Sequence, residues 1–103
     1  MLSACSHAGI VNAGLAARDH YPGVPVDLVL GGFHLAGRAM EERITATVND
    51  LDSLVGPRIV APGHCTGWRA KAALADRFSP GRYAPSVVGS RFLLRAPADP
   101  PPG

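Results

Sequence analysis

At 103 residues the chain makes at most one domain, near the lower end of what buries a self-sufficient core. Its 47% hydrophobic and 17% charged content is that of a folded globular chain, and no apolar run approaches the ~20 residues that span a bilayer. The net charge of +2 comes from arginines scattered among acids between Arg18 and Arg95, with Lys71 the single lysine, which excludes the clustered basic face of a nucleic-acid binder.

The elements alternate along the chain. Leu2 to Cys5 reads as a short strand, and Ala8 to Ala17 as a helix with Ile10, Val11 and Leu15 at near-helical spacing. Two prolines and a glycine make Tyr21 to Pro25 a turn. Val26 to Leu30 is a strand whose apolar run suits burial on both faces. Over Ala39 to Val55 the stripe Met40, Ile44, Val48, Leu51 and Val55 predicts one long amphipathic helix, stopped by Gly56 and Pro57. Arg58 to Ala61 is a third strand, Thr66 to Phe78 a helix packed through Ala73, Leu74 and Phe78, and Val87 to Leu94 a last strand. These elements make a domain over residues 1–95, followed by a Pro-rich tail, 96–103, that is expected to be disordered.

Three of the four histidines end a strand. "LSACSHAGIVN" delivers His7, "VDLVLGGFHLAG" His34 and "PRIVAPGHCTGWRA" His64. Strands alternating with helices favour a parallel sheet, whose C-terminal ends share one edge. If the three strands are neighbours, the three imidazoles gather where α/β sheets place their ligand sites. Glycines beside each histidine allow tight turns and leave room near the backbone, and helix N-termini at that rim offer free N–H groups to an anion. A single such histidine is ordinarily a hydrogen-bonded surface residue, as His20 is expected to be. Three at one edge read as part of a metal centre, because imidazole is the commonest protein ligand of Zn, Fe and Mn.

"CSHAGIVN", "GGFHL" and "PGHCTGWRA", in this order and spacing, resemble the C-terminal half of metallo-β-lactamase-fold proteins of the dihydropterin ribofuranosylaminobenzene phosphate synthase type, over about residues 2 to 95. The resemblance implies an α/β fold, half of an αββα sandwich, with one sheet and helices on its outer face. It implies a metal-dependent hydrolase or synthase whose ligands include His7, in the third metal motif, and His64, in the last. His34 stands where many relatives carry a bridging Asp. The implied cofactor is a divalent metal, zinc foremost, with Mn or Fe as alternatives. Its bound water or a polarised oxygen would act on a phosphate- or ester-containing, pterin-related small molecule. Ser6, Cys65 and Thr66 would line the pocket for that anionic substrate, although capping is the first role of a hydroxyl beside a helix start. Cys65 beside His64 is also a candidate nucleophile, and Trp68 is expected to pack.

The superfamily's first metal motif, His-x-His-x-Asp-His, has no counterpart in these 103 residues. The chain therefore reads as half of an enzyme, binding metal weakly alone and associating as a homodimer or with an N-terminal half-domain that covers its sheet. Two rivals stand beside this reading: a structural zinc module built from Cys5, His7, His64 and Cys65, and a metal-free interaction remnant. Two cysteines without a secretory signal fit a reducing cytoplasm better than a Cys5–Cys65 disulfide.

Overall fold

The computed structural model describes residues 1–95, so the expectation for the tail at 96–103 lies outside the described residues. Three parallel strands, β1 (Leu2–Ser3), β2 (Leu28–Gly31) and β3 (Ile59–Pro62), form one sheet in the order β1-β2-β3. Leu2 pairs with Leu30, and Leu28 to Gly31 pair in turn with Ile59 to Pro62. The sequence-based strands are thus neighbours, point the same way and end at one edge.

Side chains alternate across a strand, and the two faces of the sheet consequently differ. Val29 and Val60, paired and both fully buried, face a helical layer. That layer supplies Ile10 from α1 (Ile10–His20), Ile44 and Val48 from α3 (Ile44–Asp50), Leu51 and Val55 from a π-helical turn (Leu51–Val55), and Ala70, Leu74 and Phe78 from α4 (Trp68–Phe78). A further single-turn helix, α2 (Arg38–Glu41), precedes α3. The close approach of α1 to the π-helical turn requires Gly14, where a Cβ would stand 2.6 Å from Val55 Cγ2. Asp52 in that turn is held by Arg77 at 2.8 Å and Arg82 at 2.9 Å, which ties the turn to the end of α4.

Two elements differ from the sequence-based expectation. The single helix over Ala39 to Val55 is broken at Glu42–Arg43, where Arg43 N–H bonds Met40 O in a tight turn and α3 starts afresh. The stripe nonetheless points inward at Ile44, Val48, Leu51 and Val55, while Met40 turns toward the cleft described below. Gly56, left-handed at φ 62°, ends the helical stretch as expected.

The strand over Val87 to Leu94 does not form. Residues 82–84 take the free edge of β3 instead: Val60 N–H bonds Arg82 O at 2.8 Å and Ala84 N–H bonds Val60 O at 2.9 Å. Pro85 then lacks a ladder donor, Gly89 is left-handed at φ 90°, and Val87 and Ser90 close a turn on each other. The segment runs irregularly, with residues 91–95 beside Leu28, Asp27 and Arg58.

Candidate metal centre

Each strand of the sheet leads into one loop, and the three loops meet. Gly32 sits where they cross: a Cβ there would lie 2.6 Å from both Ala4 O and His64 O and 3.1 Å from Cys5 Cα. Cys65 O accepts Leu35 N–H and Ala36 N–H, both at 3.0 Å, and Gly63 N–H bonds Gly31 O at 2.7 Å. Ser6 Oγ donates to Gly32 O at 2.5 Å and shares a hydrogen bond with Ser3 Oγ at 2.6 Å. Each loop carries one left-handed residue that is not glycine, Ser6 (φ 61°), His34 (φ 53°) and Cys65 (φ 53°). Such backbone costs roughly 1–2 kcal/mol per residue and persists where surrounding contacts over-determine it.

The histidines converge as their strand-end positions predict. His7 and His34 stack with ring centroids 4.3 Å apart. One donor atom each from His7, His34 and Cys5 lie within 4.8 Å of one another, and so do those of His64, Cys65 and Cys5. Cys5 is the common member. Its Sγ lies 3.1 Å from His7 Nε2, 3.7 Å from His34 Nδ1 and 3.0 Å from Cys65 Sγ. The two thiols are free and half-buried. The hydrogen bond from Cys65, then burial and the neighbouring thiol's charge, push the Cys5 thiol above its ordinary range.

The donor set fits a metal. Ligands about 2.0–2.3 Å from one ion are themselves roughly 3–4 Å apart, and imidazole with thiol is the chemistry that binds zinc and its neighbours. The strand-end pattern points to the three histidines, while for Cys5 it offers a ligand role in a structural zinc module and, less favoured, a disulfide with Cys65. The central place of Cys5 shows only when three loops are brought together in space.

Of the residues expected at a substrate pocket, Ser6 lines a cleft of about 100 Å³ with His7, His34, Phe33, Met40, Arg43 and Thr47, while Cys65 faces Cys5. Thr66 is fully buried; its hydroxyl accepts Phe33 N–H at 3.2 Å and donates to His64 O at 3.4 Å, fastening the second loop to the third. It does not cap α4, whose N-cap is Gly67 and carries no side-chain cap. Trp68, expected to pack, is 73% exposed at the start of α4 and lies against Arg69. Arg43 was passed over in the sequence among scattered arginines. It lines the cleft and is absent from the four ion pairs of the described residues.

The sheet, its helical layer and the Cys/His edge have a counterpart among solved structures: the fold is that of the metallo-β-lactamase superfamily. The crystal structure of Tm1679, a metal-dependent hydrolase of the β-lactamase superfamily, superposes with a TM-score of 0.77 at 28% identity, over 92% of this chain and 36% of that one. In sequence, the chain is 38% identical over 79 residues to the 7,8-dihydropterin-6-methyl-4-(β-D-ribofuranosyl)-aminobenzene-5'-phosphate synthase of Methanocaldococcus jannaschii, covering 76% of this chain and 26% of that synthase. It therefore spans part of each relative's length. No family model matches it.

Proposed function

We propose that the chain supplies part of the metal centre and the anion-receiving rim of a metallo-β-lactamase-fold hydrolase or synthase. Its substrate would be a small molecule containing a phosphate or ester, pterin-related as in the synthase to which it is similar. The observation that carries this reading is the meeting of three strand-end loops at one sheet edge, with His7, His34 and Cys5 donor atoms within 4.8 Å of one another. His7 and His34 on one side of Cys5, and His64 on the other, would hold divalent metal, zinc foremost, with Mn or Fe as alternatives. Such a metal supplies Lewis-acid polarisation or a water acidic enough to ionise near neutral pH.

The chain's own residues then have distinct roles. Arg43, which lines the cleft together with His7 and His34, receives the anionic end of the substrate. Ser6 lines the same cleft, and Cys65 stands behind it against Cys5, with their sulfurs 3.0 Å apart. Thr66 and Gly32 fix the distance between the loops, so that the ligands are held before substrate arrives.

The remaining ligands belong to a second half-domain or a second copy of this chain, placed on the sheet face away from the helices. Leu2, 70% exposed beside half-buried Leu30, marks that face. No described helix is long and apolar enough to cross a membrane, and the unpaired free thiols suit a reducing cytoplasm.

The test is hydrolysis of a chromogenic phosphodiester and a carboxylic ester. The chain is assayed alone and co-expressed with an N-terminal half-domain of a relative, in zinc, manganese or iron(II). Metal-dependent turnover is expected only in the assembled protein, with loss of at least about 100-fold on His7→Ala or His64→Ala. Turnover that survives both substitutions would refute the reading.

A further inference from the structure

The histidines alone do not account for the geometry of the edge, because the atom nearest its centre is a sulfur. Cys5 Sγ belongs to two donor triads at once, with His7 and His34 on one side and with His64 and Cys65 on the other, all atoms of each triad lying within 4.8 Å of one another. We infer that Cys5 is itself a metal ligand, a thiolate shared between two metal positions, and that Cys65 is a ligand of the second. This rests on the metal-centre reading above and names the ligand chemistry of that same site.

Three observations support it. The thiols are 3.0 Å apart without being bonded, and His7 Nε2 stands 3.1 Å from the same sulfur, so three soft or borderline donors crowd one small volume. The loops that deliver them are fixed by backbone contacts at Gly32 and by three left-handed residues, which is the rigidity a preformed ligand set needs. The charge also balances. A dication between the Cys5 and Cys65 thiolates, with neutral His64, is neutral overall. A second dication on Cys5, His7 and His34 leaves the cleft side positive, which is the side Arg43 also faces. The first position is closed in charge and suited to retention, whereas the second keeps an open side and attracts an anion. On loading, each thiol exchanges its proton for a metal–sulfur bond, so two protons leave per fully loaded chain and no electrons move.

The experiment is anaerobic titration of the reduced full-length chain with Co²⁺ alone, read by thiolate-to-cobalt charge-transfer absorption and by proton release in weak buffer. Sulfur bands growing to about two cobalt ions per chain, with about two protons released, are expected. Cys5→Ser should remove most of the band and lower the stoichiometry to one ion or fewer. Cys65→Ser should remove only part of it, and His20→Ala should change neither. Circular dichroism of the metal-free variants separates lost ligands from lost fold, and the wild-type spectrum decides without any variant.

Cobalt bound with a histidine-only spectrum overturns the thiolate assignment and leaves the hydrolase reading intact. Sulfur-rich cobalt binding without turnover in the assembled protein overturns the hydrolase reading alone. Absence of any binding by the reduced chain, or equal binding by Cys5→Ser, also overturns the inference.

Discussion

The two faces of the sheet are made of the same residue types and are covered unequally. On the helical side Val29 and Val60 are fully buried beneath Ile10, Leu51, Leu74 and Phe78. On the other side Leu28 and Ala61 are buried, but Leu30 and Ile59 are half-buried, Leu2 is 70% exposed, and Leu93 and Leu94 are 68% and 62% exposed in the segment that runs nearby. A strand apolar on both faces calls for two covering layers, and the described residues provide one layer of helix and one irregular strap. The difference places most of the buried apolar contact, and with it most of the folding energy, on the helical side.

The largest effect should come from removing a side chain on the covered face. Leu74 is fully buried between sheet and helices, so Leu74→Ala should lower stability by about 3 kcal/mol, whereas Leu94→Ala on the strap should stay within about 0.5 kcal/mol. Urea denaturation of the two variants measures the contrast directly. If Leu94→Ala costs as much as Leu74→Ala, the strap is a second core and the two faces are equivalent.

Next in size is the crossing point of the three loops. Gly32→Ala would press a methyl group against Ala4 O, His64 O and Cys5 Cα, none of which is the end of a flexible side chain. About 2 kcal/mol of stability should be lost. Metal affinity should fall with it, because the first and third loops must part. The readouts are thermal melting with and without Zn²⁺, and a smaller zinc-induced rise in Tm is expected in the variant.

Much of this arrangement was legible in the sequence because it rests on local signals. Apolar runs of strand length point to all three observed strands, and the histidines at their ends to the edge where the imidazole and thiol groups collect. What was not legible depends on contacts between distant segments. Val87, Val88, Phe92, Leu93 and Leu94 have strand composition, but the edge they would join is occupied by residues 82–84. The stripe over Ala39 to Val55 reported which residues point inward and was silent about the turn at Glu42–Arg43 that interrupts it. Trp68 is expected to pack because it opens a helix whose other apolar residues are core, yet it is 73% exposed. Cys5 lies two residues from a histidine and sixty from Cys65, a separation that hides the 3.0 Å contact of their sulfurs.

The seam between α1 and the π-helical turn gives a third test on the covered face. Alanine is ordinarily about 1 kcal/mol better than glycine inside a helix, so Gly14→Ala would stabilise α1 if space allowed. A Cβ would meet Val55 Cγ2 at 2.6 Å and Cγ1 at 2.9 Å, and a net loss of about 1 kcal/mol is expected instead. Combining it with Val55→Ala should recover part of the loss, because the second substitution removes the atoms in the way. A stabilised single variant would show that the helical layer is looser than the buried side chains imply.

The smallest expected effect concerns the charge clamp at the edge of that layer. The hydrogen bond from Arg77, with a second from Arg82 working against the cost of partial burial, holds the Asp52 carboxyl below its usual range. A carboxyl whose folded value is lowered adds stability above its unfolded value, near pH 4, and loses that contribution as pH falls through the folded value. The side chain of Asp52 is 22% exposed and those of Arg77 and Arg82 are 46% and 37% exposed, so solvent screens much of the attraction. Asp52→Asn should therefore cost only about 0.5 kcal/mol at neutral pH and low salt. The gap between wild type and variant should shrink in high salt and vanish as the wild-type carboxylate is protonated at acid pH. Paired urea titrations from pH 7 downward would measure that closing gap. A gap that stays constant with pH would mean that Asp52 acts through the shape of the turn rather than through its charge.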